Sequence, residues 1–296
     1  MKIVYVHGIA QERKNPVALK GEWDEAFREG LAAAGVGWPA GAETVLPYFG
    51  DTLADKTAEI DRGEAVGLLR RGGSVAEDAS KYEFYNEFLT QLADGKGVST
   101  ANLVGDDGRP VERGPQNWRW VLALTRRLNK IGPVADWSID TFTRDVWVYL
   151  LHNQVRQPIH AIVSKEIPAT EPCLVVSHSL GTVVAYNVLT ERASRDNVRA
   201  WFTLGSPLGI EAIYKRLPSS LTPVPRKSPA GIAAWYNARD PEDIVALHEI
   251  PGARFGGDPA VENSSHVVNP TSNQHGIIGY LSDPEVARRI AKAASS

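Results

Sequence analysis

Short apolar runs alternate with amphipathic stretches along the chain, and the two periodicities predict different elements. Ile3-Val4-Tyr5-Val6 is a β-branched and aromatic run that predicts a central strand. Cys173-Leu174-Val175-Val176, bounded by Pro172, predicts a strand buried on both faces. Residues 199–204 and 231–237 read as two further strands, and residues 43–49 as a strand toward a sheet edge, because Pro47 cannot donate to a ladder and Gly50 and Asp51 should end it. Helical spacing appears elsewhere. Val17, Leu19, Trp23, Ala26, Phe27, Leu31 and Ala34 form a stripe that predicts a helix stopped by Gly35. Residues 140–166 repeat apolar positions every three or four residues, from Phe142 to Val163, and predict a long helix that Pro158 should kink or divide. Helices are also predicted over residues 180–189 and 283–294.

From about residue 52 to about residue 140 the pattern changes. Charge and glycine increase, Gly105-Asp106-Asp107-Gly108 is a turn cluster, and no alternating strand appears. Helices are predicted near residues 76–93 and 116–131, with Trp118, Trp120, Leu122 and Leu124 expected to bury that segment's own core.

Composition narrows the class. With 296 residues, 43% hydrophobic and 23% charged, the chain is ordinary for a globular protein and suits one α/β domain with an insertion. A net charge of -3 gives no whole-molecule field for nucleic acid or an anionic membrane. The single cysteine, Cys173, falls in a predicted core strand, so no internal disulfide forms and the residue reads as a small core hydrophobe. No apolar run approaches the ~20 residues that span a bilayer. Met1 leads straight into the first strand, leaving no room for a signal peptide, so a cytoplasmic location is expected.

The chemistry centres on Ser177-His178-Ser179-Leu180-Gly181, between the buried strand and the helix that follows it. This arrangement resembles the nucleophile elbow of the α/β-hydrolases, in which a serine on a strained strand-to-helix turn projects above the sheet. Ser177 departs from the family pattern, standing where the first glycine is usual. The His7-Gly8-Ile9 loop after the first strand resembles the loop that supplies one oxyanion-hole N–H in lipases and esterases. The resemblance implies an α/β-hydrolase fold, with a mostly parallel central sheet flanked by helices, as a single domain over residues 1–296. Residues 52–140 would then be a helical cap over the carboxyl ends of the strands, or else a peripheral helical layer. It also implies Ser179 as nucleophile, with the Ile9 and Leu180 N–H groups as the oxyanion hole.

A serine needs a base, and the base needs a carboxylate, in the family order Ser, acid, His. Asp240, Glu242 and Asp243 follow the strand expected over residues 231–237. Asp243 is preferred because Asp-Ile-Val-Ala resembles the family's acid loop; Asp240 is the alternative, either as acid or as a second carboxylate paired with Arg239. His275, in Asn273-Gln274-His275-Gly276-Ile277-Ile278, resembles the late loop that carries the base, with His266 as alternative. His248 lies too close to the acid, and His7 and His178 read as packed loop residues. Ser206, a rival nucleophile, precedes a proline rather than a helix N-terminus.

The expected activity is hydrolysis of carboxylic esters, on a small-molecule or lipid-like substrate. Peptidase, thioesterase, phospholipase and acyltransferase activities are alternatives with the same machinery. A different class, a non-catalytic ligand- or partner-binding module, would have no need of the three residues in order. The histidines lack metal-ligand spacing, and the glycine-rich segments lack the Walker lysine and the dinucleotide pattern, so no cofactor or metal is expected.

Overall fold

A computed structural model describes residues 1–71, 75–114, 116–130, 138–192, 197–217 and 226–295. In chain order, strand β1 (Lys2–Val6), helix α1 (Pro16–Ala33) and strand β2 (Glu43–Val45) are followed by α2 (Gly50–Arg71) and α3 (Val75–Gly95). A small hairpin, β3 (Leu103–Val104) and β4 (Pro110–Val111), precedes α4 (Trp118–Asn129), α5 (Ile139–Leu151) and α6 (Asn153–Glu166). Then come β5 (Cys173–His178), α7 (Leu180–Glu191), β6 (Val198–Leu204), α8 (Glu211–Arg216), β7 (Arg226–Lys227), β8 (Trp235–Ala238), β9 (Phe255–Gly256), β10 (Val261–Ser264), α9 (Ile277–Leu281) and α10 (Pro284–Ser295).

The fold is α/β. Six strands form one sheet in the order β10-β8-β6-β5-β1-β2, and every neighbouring pair is parallel. Successive residues of a strand point to opposite faces, so each central strand feeds two cores. Val4, Val6, Val175, Trp201 and Trp235 pack with α2 to α8 on one face. Ile3, Tyr5, Leu174, Val176, Phe202 and Tyr236 pack with α1, α9 and α10 on the other. Burial on both sides explains why these strands are continuous apolar runs rather than alternating ones.

Several expectations are corrected. The edge strand β2 ends at Val45, and Gly50 opens α2 instead of closing a strand. Phe49 turns inward, fully buried, to stack on His7 with ring centroids 3.9 Å apart. Val17 is 80% exposed. It lies two residues before Leu19, about 200° around the helix from the buried stripe. The segment over residues 140–166 is two helices, and they part at His152, whose backbone is extended, rather than at Pro158. Arg156 donates to the Leu150 carbonyl at 2.7 Å, satisfying an acceptor freed by the break, while Pro158 sits inside α6.

In residues 52–140, α3 and α4 match the expected helices, although residue 131 lies outside the described residues. The sequence reading missed α2 and the hairpin β3–β4, whose turn is the Gly105–Gly108 cluster. Trp120 and Leu124 are buried, whereas Leu122 points outward, 47% exposed. The described helices of this stretch build the core on one sheet face. Among the described residues, no helix is long and apolar enough to cross a membrane.

Candidate active site

Parallel strands carry their following loops to one edge of the sheet, which is where open α/β sheets bind ligands. Three such loops and the segment before α9 meet at Ser179. The serine itself has φ 56° and ψ -133°, a sparsely populated conformation of the kind that costs of order 1–3 kcal/mol and persists only when its surroundings impose it. Gly181 and Gly8 show how. A Cβ on Gly181 would lie 2.2 Å from the Val6 carbonyl oxygen, and one on Gly8 would lie 2.6 Å from Ser179 Cβ. The β1 loop and the start of α7 therefore touch backbone to backbone, and only glycine permits it.

Ser179 Oγ lies 2.7 Å from His275 Nε2. His275 Nδ1 lies 2.8 Å from Asp243 Oδ2 and 3.0 Å from Oδ1. Facing a carboxylate, Nδ1 carries the proton and donates it, which leaves Nε2 free to accept from the serine hydroxyl. All three side chains are buried, with 1%, 5% and 0% exposure for Ser179, His275 and Asp243. Burial would raise the Asp243 carboxyl, but the His275 ring and hydrogen bonds from His275, Tyr280 and the Val245 N–H outweigh it and hold the group below the usual carboxylate value.

The structure distinguishes the candidates. Asp240 does not face His275. Its Oδ1 accepts from the Glu242 N–H and its Oδ2 from the Asn269 N–H, both at 2.7 Å, so it ties the β8 loop to the loop that carries His275. Arg239 does not pair with Asp240; it donates to Ser265 Oγ and to the Leu247 carbonyl, both at 2.9 Å. His266 is exposed and has no hydrogen bond to Ser179, whose Oγ is met by His275. Ser206 Oγ accepts from the Leu208 N–H and shares a hydrogen bond with Thr182 Oγ1, as a buried turn residue.

One of the two proposed oxyanion donors, the Ile9 N–H, is oriented by a histidine. Phe49 N–H donates to His7 Nε2 at 3.0 Å, so Nδ1 bears the hydrogen and donates to the Gly8 carbonyl at 2.8 Å. A trans peptide sets its N–H opposite its C=O, so fixing the Gly8 oxygen fixes the direction of the Ile9 N–H. Burial pushes His7 down to about 4, which keeps this neutral tautomer in place. Neither the Ile9 nor the Leu180 N–H has a protein acceptor among the described residues. Leu180 is moreover the first residue of α7, where amide groups lack intrahelical partners and the helix dipole is positive.

Some site residues were invisible in the sequence pattern. Tyr280 donates to Asp243 Oδ2 at 2.7 Å and accepts from the Asp240 N–H at 3.0 Å, joining the loop of both carboxylates to α9. Asn269 donates to the Asn273 and Gly276 carbonyls, at 3.0 and 2.9 Å, and so braces the turn that presents His275. No motif marks either one; the only signal was their nearness to His275. The Phe142 ring on α5 meets the His275 ring edge-on at 6.2 Å, bringing the helical layer against the base.

A cleft of about 200 Å³ opens beside Ser179, lined by the β1 loop, α1 and residues 273–278. No described residue of 52–140 is among those lining this cleft. Among the described residues no cluster of three His, Cys, Asp or Glu side chains forms a metal site. Comparison with protein families, with curated proteins and with solved structures finds no match to this chain.

Proposed function

We propose that the chain is a serine hydrolase of the α/β-hydrolase type, acting on carboxylic esters. The observation that carries this reading is the continuous hydrogen-bonded chain from Ser179 Oγ through His275 to Asp243, in the order serine, acid, histidine along the sequence. The strained serine backbone and two unengaged amide donors beside it support the same reading.

In the proposed reaction, Ser179 Oγ attacks the ester carbonyl carbon while His275 Nε2 takes the hydroxyl proton. Asp243 stabilises the resulting imidazolium and holds its tautomer. The Ile9 and Leu180 amides donate to the oxyanion as charge moves onto the carbonyl oxygen, the kind of contact worth ~10²- to 10³-fold each in rate. Collapse breaks the carbonyl–alkoxide bond, and His275 returns its proton to the leaving alcohol. Water, deprotonated by the same nitrogen, then attacks the acyl-serine; the carbonyl–Oγ bond breaks, His275 returns the proton to Ser179 Oγ, and the acid departs.

Labelling by a fluorophosphonate probe and turnover of p-nitrophenyl butyrate test this reading. Wild type should do both, and Ser179→Ala neither. A folded wild-type protein that does neither would instead support a binding module.

A further inference from the structure

Resting on that reading, we infer that the enzyme is selective for short acyl chains, with the cleft beside Ser179 as the feature that sets the limit. The cleft measures about 200 Å³, below the roughly 300–1,000 Å³ of sites that enclose drug-sized ligands. The ester carbon and its two oxygens occupy part of that space, which leaves limited room for an acyl chain.

The walls do not yield cheaply. Leu19 and Trp23 on α1 form the inner side and are 3% and 1% exposed. Trp23 is wedged between Tyr5, at 5.1 Å between ring centroids, and His178, at 6.4 Å. Ile277 and Ile278, at the start of α9, form another part of the wall. The two parts are locked together, because α1 and α9 meet so closely that a Cβ on Gly30 would lie 2.3 Å from the Leu281 carbonyl oxygen. A close-packed core resists widening on the described sides, so a longer chain is directed toward the mouth. There the lining is Lys14 and Glu22, both exposed and charged. Apolar carbon emerging there gains little burial and desolvates charge, which is unfavourable.

The test is a chain-length series of p-nitrophenyl esters with fluorophosphonate labelling run in parallel. Acetate and butyrate should be hydrolysed with kcat/KM at least ~10-fold above octanoate, the scale on which pocket fit discriminates chains. Octanoate cleaved as well as butyrate, with labelling intact, overturns the size limit and leaves the Ser179 reading standing. Loss of both labelling and hydrolysis across the series in folded protein overturns the Ser179 reading, and the inference with it. Leu19 is too buried for a safe variant, so half-buried Ile278 is used. Ile278→Ala should raise the octanoate-to-butyrate ratio at least ~5-fold, and Ile278→Trp should lower butyrate against acetate by ~10-fold. If neither ratio moves in folded variants, the cleft is not where the chain sits.

Discussion

His178 donates from Nε2 to the main-chain oxygen of His275 at 2.7 Å, so the residue before the proposed nucleophile holds the backbone of the proposed base. Burial pushes His178 down to about 3, aided by the neighbouring His275 ring, and the side chain stays a neutral donor. Removing it frees His275 from the turn that carries Ser179. His178→Ala should therefore lower kcat by ~10- to 100-fold with a smaller change in KM, since misplacing a reacting group by about 1 Å costs rate on that scale. His178→Gln, which retains a donor, should recover part of the loss. Steady-state kinetics on a short-chain ester distinguish these outcomes.

The two carboxylates should separate cleanly. Asp243→Asn leaves the loop intact but favours the wrong His275 tautomer, and kcat should fall by about 10⁴-fold, as it does when a triad acid loses its charge. Asp240→Asn removes one acceptor from a loop hydrogen bond, so kcat should stay within ~10-fold while stability drops by about 1–2 kcal/mol. Rates and urea midpoints of the two variants check this, and a reversed ranking would transfer the acid role to Asp240.

Ser177, where glycine is usual in the resembling family, faces away from the reacting groups. Its Oγ donates to the Phe202 carbonyl and accepts from Trp201 Nε1, both at 2.9 Å, so it stitches β5 to β6. Ser177→Gly should keep most of the activity but lose about 1–3 kcal/mol of stability, because a buried indole N–H is left unpaired. Thermal unfolding beside an activity assay separates the two effects. A ~10²-fold loss of rate without loss of stability would place Ser177 in the reaction instead.

Acid should destabilise the fold at a pH above the usual carboxylate range. His7 and His178, pushed down by burial to about 4 and about 3, stay neutral in the fold, whereas in the unfolded chain they titrate near 6.5. Unfolding then takes up protons, so their stability contribution is full above pH 6.5 and is lost as pH falls toward 4. Asp145 acts in the opposite sense: burial raises it to about 6, and it adds stability as pH falls from 6 toward 3.8. Asp243, depressed, matters only below about 3.8. These histidines outweigh one carboxylate, and His160 and His248, also held below the ordinary imidazole value by burial, act in the same direction, so the urea midpoint should fall between pH 7 and pH 4.5. A flat or rising midpoint would refute this.

The sequence by itself determined what depends on neighbours along the chain. Apolar runs gave the buried strands, a 3.6-residue stripe gave α1 and α7, and the small residues around Ser179 marked a turn where strand and helix nearly touch. The tertiary structure decided what depends on residues far apart in sequence. Ser179 and His275 are separated by 96 positions, and Asp243 and His275 by 32. Asp240 and Asp243 sit in one loop with the same chemistry; which of them faces the imidazole follows from Tyr280 and Asn269, reaching in from beyond β10. Likewise the break falls at His152 rather than Pro158, where Arg156 reaches the Leu150 carbonyl, a hydrogen bond that no propensity encodes. Periodicity records which side of an element is buried, whereas hydrogen-bond partners are chosen only when the buried faces have met.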